Sequence, residues 1–416
     1  MSDCARPFRR ADFCRLFIGV STSQLGDQFA LVATPWMVMH LTGDPLALGL
    51  VLALEGAPRA LFMLIGGAVS DRLSPRAVLI AADLARMLLA ALLAGVVLSG
   101  MVEMWMVYGF ALGFGLIAGF AIPAGNAMVP GLVAADELEA GNAAIMGGGQ
   151  IMGFAGPFAA GVLIGHFTQG LSGVGFAFAI DALTFAVSAL MLWQIRSRAA
   201  LSDRADSGLA QEVAAGFRHV WSTPELRLTF LIIAAVNFLF AGPIMVGIPV
   251  LAETRLPEGA LAFGLLMSGF SGGNLAGYIV AGALPRPDGT ALRAILVALL
   301  AGFALVLAVM GTTASTWVDF ALLGLVGIGN GYVTIVLVSS LQARTPRHML
   351  GRVMGLMMFS SFGLVPVSEA LSGALGRWDL TLLFLTAAGL TALVALWAAT
   401  RPALGSIGTG LAPREA

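Results

Sequence analysis

The chain contains no lysine; all 22 of its basic residues are arginine. A phosphate-binding loop of the form G-x-x-x-x-G-K-[ST] therefore cannot occur, which excludes ATP hydrolysis through such a loop of its own. The two cysteines, Cys4 and Cys14, lie before or at the first apolar run, and no disulfide framework follows from them. His40, His166, His219 and His348 are scattered and make no metal-ligand spacing with acids or cysteines, so neither a metal site nor the catalytic cluster of a membrane enzyme is expected. Charge of either sign is scarce, at 11% of residues against roughly a quarter in soluble domains.

What fills the chain is apolar. Hydrophobic residues make up 58% and the mean hydropathy is +0.93, the composition of an integral membrane protein. A helical span takes ~20 mostly apolar residues, so 416 residues hold about a dozen. The runs are apolar on all sides rather than alternating, which selects helices over a barrel. Glycine, at 53 residues, is spread through them, as expected where helices pack backbone to backbone in lipid. The Arg-rich start followed by an apolar run looks like a signal peptide, but the run continues for about a full span without a small-residue cleavage site and reads as a retained first helix.

Charged residues and Gly/Pro punctuation divide the chain into twelve candidate spans, 15–41, 46–70, 76–100, 104–127, 142–165 and 174–195, then 227–251, 260–284, 291–311, 316–340, 351–375 and 380–400. With the N-terminus inside, the inner segments collect the loop arginines, from Arg6, Arg9 and Arg10 to Arg344, Arg347 and Arg401, while the outer ones hold only Arg255 and Arg377. That bias predicts both termini on the cytoplasmic side. The polar stretch 196–226 joins the halves. In it Leu209, Val213, Phe217 and Val220 recur at helical spacing, so an amphipathic helix along the inner surface is expected, as a tether or as a gating element. The connection AMVPGLVAADELEAGNAAIMG has a counterpart about 210 residues later in VLVSSLQARTPRHMLGRVMGL, a parallel internal repeat of the kind found in one large class of secondary transporter.

Between the second and third spans, Gly67-Ala-Val-Ser-Asp71-Arg72-Leu-Ser-Pro-Arg76 resembles the G-x-x-x-D-R-x-G-R-R signature of the major facilitator superfamily, with Ser74-Pro75 where a glycine is usual. In span 5, Gly153-Phe-Ala-Gly156-Pro157-Phe-Ala-Ala160-Gly161 is similar to the glycine-proline motif of that superfamily's exporters, or is ordinary packing with a proline kink. Three more stretches resemble the bacterial efflux subgroup of enterobactin exporters and macrolide-efflux-type pumps: GDQFALVATPWMVMHLTGDPLALGL, IDALTFAVSALML, and Pro346-Arg-His-Met-Leu-Gly351-Arg352-Val353. The resemblance implies an all-α membrane protein of twelve transmembrane helices in two six-helix bundles, residues 1–195 and 227–416, with 196–226 as linker. It also implies a latch at the inner surface, in which Gly67, Asp71, Arg72 and Arg76 face Gly351 and Arg352 at the start of span 11. Asp71 would accept hydrogen bonds from that helix's positive N-terminal end.

Ionisable residues inside a membrane cost about 2.5–3.5 kcal/mol each and normally face a cavity or a partner. Asp27 lies about 12 residues from either end of span 1, ~18 Å of helix from each surface. A carboxylate that deep is penalised by desolvation and can take up and release a proton, as a proton-coupled transporter requires; alternatively it is structural, bonded to Gln24, Gln28 or the backbone. Glu55 and Arg59, four apart on one face, form a pair that either neutralises itself or opens during transport. Asp83 and Arg86 make a similar pair, and with Asp181 are read as structural, because the resemblance sets spans 3, 6, 9 and 12 outside the cavity. It places Asn237, Asn274, Asn330 and Glu369 around that cavity, the asparagines as substrate contacts or as interhelical hydrogen-bonding groups, and Glu369, beyond Pro366 toward the outer end, as an exit-side proton or cation site. The remaining lining, Phe, Met, Leu, Ala and Trp36, suits an amphipathic or lipophilic substrate. The sequence thus points to a proton-driven exporter of a small compound such as a drug or siderophore, in the bacterial inner membrane. An importer or facilitator of the same fold is the alternative. Membrane lipid is the surrounding partner, no nucleic acid and no cofactor beyond the proton gradient are expected, and a monomer is expected.

Overall fold

The computed structural model describes residues 6–72, 74–167, 170–196, 217–218, 220–285, 287–345, 350–401 and 404, without the side chains of 64–72, 135, 343–344 and 350–352. Every regular element among them is helical, as expected. The helices are α1 (Ala11–Thr42), α2 (Pro45–Arg72), α3 (Pro75–Leu98), α4 (Met104–Met128), α5 (Leu138–His166), α6 (Ser172–Trp193), α7 (Pro224–Thr254), α8 (Ala260–Ala283), α9 (Gly289–Thr312) and α10 (Thr316–Arg344). There follow α11, in two pieces (Leu350–Phe362 and Val365–Trp378), and α12 (Leu380–Ala399). Ten of these are long and apolar enough to cross a membrane. The other two, α1 and α8, have the length, but α1 is diluted by Ser21, Ser23, Gln24, Asp27 and Gln28, and α8 by glycines and Asn274.

The helix ends follow from local chemistry. Pro75 and Pro224 open α3 and α7 at positions where no backbone N–H is needed. Asp288 and Asp379 cap α9 and α12 by accepting from Ala291 N at 2.7 Å and from Thr381 N at 2.6 Å. Gly43 ends α1 in the left-handed region at φ 60°, its N–H bonded to Met39 O, a conformation that costs other residues dearly. The Ser74-Pro75 departure from the family signature is resolved in the same way: Ser74 is extended and α3 starts on the proline.

Two compact units result, one of residues 1–204 with 252–268, the other of 205–251 with 269–416. Residues 252–268 pack with the first unit. Gly161 of α5 and Gly264 of α8 meet backbone to backbone, leaving no room for a Cβ on either. In the first unit Phe13, Leu16, Leu79, Met128, Leu192 and Ile195 form a buried core near the base. In the second, Leu228, Ile232, Leu292, Leu296, Val333 and Ala395 do so. Outward faces are apolar, with Leu61, Leu92, Leu183 and Leu396 more than half exposed. Trp105, Trp193, Trp317 and Trp378, all exposed, stand at helix ends, where amphipathic rings mark a membrane interface. The protein is a multi-pass membrane protein.

Glycine pairs set the helix register. In the first unit Gly115 and Gly119 of α4 lie one turn apart and press on the backbone of Glu55 and Arg59, one turn apart on α2. Gly19 and Gly26 of α1, two turns apart, make room for α6: Gly19 meets Ser188 and Met191, and Gly26 meets the side chains of Asp181 and Thr184. The second unit repeats the α2–α4 arrangement in α8 and α10, where Gly273 and Gly277 meet the backbone at Gly324 and Ile328.

Candidate functional site

In the first unit six ionisable side chains from four helices converge. Arg59 Nη1 is 3.3 Å from Glu55 Oε1, the expected pair on α2. Arg86 Nη2 is 3.3 Å from Asp83 Oδ1, the expected pair on α3, and Ser188 of α6 donates to the other Asp83 oxygen at 2.6 Å. Arg86 also crosses to α1, its Nη1 3.7 Å from Asp27 Oδ1. Its guanidinium lies over the ring of Phe185, 4.6 Å from the centroid, with Phe114 at 5.9 Å. The charges of Arg59 and Glu55 also act on Asp27, and that of Asp27 acts on Asp181.

The glycines explain why these groups meet. Because Gly26 has no side chain, α6 comes close enough for Asp181 and Thr184 to touch α1 beside Asp27. Because Gly115 and Gly119 have none, α2 is held with Glu55 and Arg59 at a fixed height. The carboxylates differ in access: the side chain of Asp27 is 36% exposed, that of Asp83 3%. Asp27 is the more accessible acid of the two, and Asp83 is the counter-charge behind Arg86.

The arrangement extends the sequence reading. Asp83, Arg86 and Asp181 were expected to be structural, on helices outside the cavity, and Arg86 pairs with both Asp83 and Asp27. The available signal was depth: Asp27, Asp83, Arg86 and Asp181 all fall well inside their helices, and several buried charges at similar depth seek one another. Gln24 and Gln28 pack into α5, where Gly149 and Gly156 leave space for their side chains. Gly156 and Gly161 thus serve close packing here, and Pro157 lies inside α5 with its carbonyl against Gly264. Trp36 lies nine residues beyond Asp27, about 13 Å along α1, against Gly259 rather than in the charged cluster.

At its α8–α10 contact the second unit carries amides. Asn330 donates to Asn274 Oδ1 at 2.8 Å across the α8–α10 contact. Asn237 donates to its own helix at Ile233 O and begins a π-helical turn, Asn237–Ala241. Such turns widen a helix, often at functional places. Ser368, on the second piece of α11, donates to Phe238 O within that turn, and Glu369 beside it is buried.

Of the expected latch, the side chains of Gly67, Asp71, Arg72, Gly351 and Arg352 lie outside the described residues, as does most of 196–226. Arg76 is described, and its guanidinium is occupied elsewhere: it donates to Leu192 O at 2.8 Å and to Trp193 O, closing the last turn of α6. Arg293 does the same at the start of α9, donating to Ala399 O at the end of α12. The two halves share this device, which gives Arg76 a role within its own bundle. Arg76→Gln is therefore expected to lower stability by about 1–2 kcal/mol, the loss of a charge-assisted bond, read as a drop in detergent melting temperature with transport per molecule retained. A full-stability variant with slowed transport would return Arg76 to the latch.

Residues 2–414 match the family model described as transmembrane secretion effector. Over 384 residues the chain is 24% identical to the multidrug efflux pump Tap of Mycolicibacterium fortuitum, covering 88% of this chain and 90% of that protein. Among solved structures it is similar to a mutant of the peptide transporter POT in complex with sulfate, at TM-score 0.75 and 13% identity over 96% of both chains. It also resembles a mutant of the nucleoside transporter NupG, at TM-score 0.72 and 12% identity over 93% of this chain and 98% of that one. At such identities these structures show a shared fold alone.

Proposed function

The chain belongs to the transmembrane secretion effector family of major facilitator transporters, and we propose that it is a proton-coupled exporter of small amphipathic or lipophilic compounds, working by alternating access. It is a transporter and not an enzyme. The observation that carries the reading is the shared guanidinium of Arg86, between partly exposed Asp27 and buried Asp83.

A proton carrier must exist in two states of comparable stability. Ionised, Asp27 is held by Arg86. Protonated, it releases Arg86 to Asp83, which is already bonded to it and to Ser188. Arg86 therefore keeps a partner in both states, so the exchange avoids the several kcal/mol of leaving a charge bare in low dielectric. Glu55 and Arg59, one helix away, neutralise each other and respond to the Asp27 charge. The second unit brings amide side chains, Asn237, Asn274 and Asn330, which can orient a substrate but exchange no proton. Only a few charged groups, Asp319 and Glu369 among them, are buried in that unit, which suits a lipophilic cargo, and the name of the Tap relative supports outward transport. Twelve spans in a bacterial inner membrane, with both termini cytoplasmic, complete the proposal.

The test is expression in a host stripped of its own pumps, loaded with ethidium and a panel of antibiotics. Lower accumulation than in the empty host, abolished when a protonophore collapses the pH gradient, is the expected result. Accumulation that rises on expression would make the protein an importer. Efflux indifferent to the protonophore but dependent on sodium would replace the ion.

A further inference from the structure

The acids of the first unit outnumber its bases at one depth. α1 brings Asp27, α2 brings Glu55 and Arg59, α3 brings Asp83 and Arg86, and α6 brings Asp181. The other two helices add nothing there: α4 carries only Tyr108 near its start, and α5 carries Glu139 and His166 at its ends. Four carboxyl groups share two guanidiniums, so full ionisation would leave a surplus of two negative charges in a low dielectric. Asp27, Glu55 and Asp83 each have a guanidinium within 3.7 Å. Asp181 does not fit that scheme. It is fully buried, and neither of its carboxyl oxygens has a hydrogen-bond partner. The neighbouring Thr184 hydroxyl is turned away, donating to the Asp181 main-chain oxygen at 2.7 Å. The carboxyl lies instead against Gly26, one residue from Asp27. A buried carboxylate survives on donated hydrogen bonds or a direct cation; with neither, the acid form is the stable one.

We propose that Asp181 is a second proton-binding residue of the Asp27 site, protonated in the arrangement described and discharged through Asp27. Asp181 is fully buried and the Asp27 side chain is partly exposed, so the protons leave in sequence. Asp27 first loses its proton to water. Once a shift of α6 against α1 or a bridging water joins the two carboxyls, the O–H bond of Asp181 breaks as one forms on the Asp27 carboxylate, leaving Asp181 ionised in the field of Arg86, and Asp27 releases this second proton in turn. The cycle moves two protons through one partly exposed carboxyl. The inference rests on Asp27 as the carrier, but its test reads protonation and not transport.

Infrared difference spectra of the purified full-length protein, titrated with pH, report protonated carboxyl groups directly. A C=O band of an acid in apolar surroundings is expected to persist near neutral pH, to vanish in Asp181→Asn and to remain in Asp83→Asn. Asp181→Glu should shift the band rather than remove it, which covers the case in which the asparagine variant does not fold. Asp27→Asn, which removes the path and the neighbouring charge, should move the pH at which the band bleaches. The proposal is overturned if the neutral-pH band survives Asp181→Asn unchanged, if its titration ignores Asp27→Asn, or if it appears only when sodium is replaced by choline, since a bound cation would then hold the place of the proton. Wild-type protein that shows the band but extrudes nothing under a pH gradient would remove the exporter reading and leave the proton on Asp181 standing.

Discussion

Arg86→Ala is expected to abolish the recovery of folded protein at neutral pH. The substitution removes the one guanidinium that bonds to both Asp27 and Asp83, and it empties the space between Phe114 and Phe185. Breaking a buried pair by deleting one partner costs about 3–5 kcal/mol, because the surviving charge stays in low dielectric. Set against a total stability of about 5–15 kcal/mol, that is a large share. Size-exclusion yield and melting temperature in detergent measure it. The cause is separable from lost packing: in Arg86→Met with Asp83→Asn the pair is replaced by neutral groups of similar size, and most of the stability should return. The double-mutant cycle should show a coupling well beyond the summed single effects. Arg86→Ala protein as stable as wild type would show that the guanidinium does not hold the cluster.

Asp27→Asn is expected to do the opposite, leaving folding nearly intact and removing coupling. Asparagine keeps the shape and loses only the exchangeable proton, while Arg86 retains Asp83 at 3.3 Å. Proteoliposomes carrying the variant should extrude dye uphill under a pH gradient no faster than protein-free vesicles, while exchange of dye down its own gradient persists. Uphill extrusion at the wild-type rate would take the carrier role from Asp27.

The part of this architecture that was legible in the sequence is the part set by local rules. Long apolar runs and proline or glycine stops placed α3, α6 and α12 within a few residues of their observed ends. The four-residue spacing of Glu55 and Arg59, and the three-residue spacing of Asp83 and Arg86, gave pairs that the structure contains. What stayed hidden depends on which helix lies beside which. Arg86 meets Asp27 only because α1, α3 and α6 pack around Gly26, and no spacing along the chain encodes that. Arg76 bonds to main-chain oxygens at the end of α6, and carbonyls leave no mark in a sequence. The π-helical turn at Asn237 was invisible for a similar reason: one extra residue in a turn barely disturbs an apolar run. The break after Phe362 did have a signal, in Gly363 and Pro366, which an uninterrupted span from 351 to 375 passed over.

The glycine contact that sets Asp181 against α1 also governs how the protein can be made. Asp27 leaves the ribosome 59 residues before Arg86 and 154 before Asp181. At synthesis rates of about 5–20 residues per second, α1 waits roughly 3–12 s for its counter-charge, and longer for the helix that seals it. Only Arg59 of the cluster's cations follows within that interval, 32 residues after Asp27, and until it does the helix enters the bilayer with its acid either neutral or still in water. The finished cluster cannot guide the insertion of α1; it closes around a helix already in place, and the last piece to arrive, α6, is the one that shuts the water out.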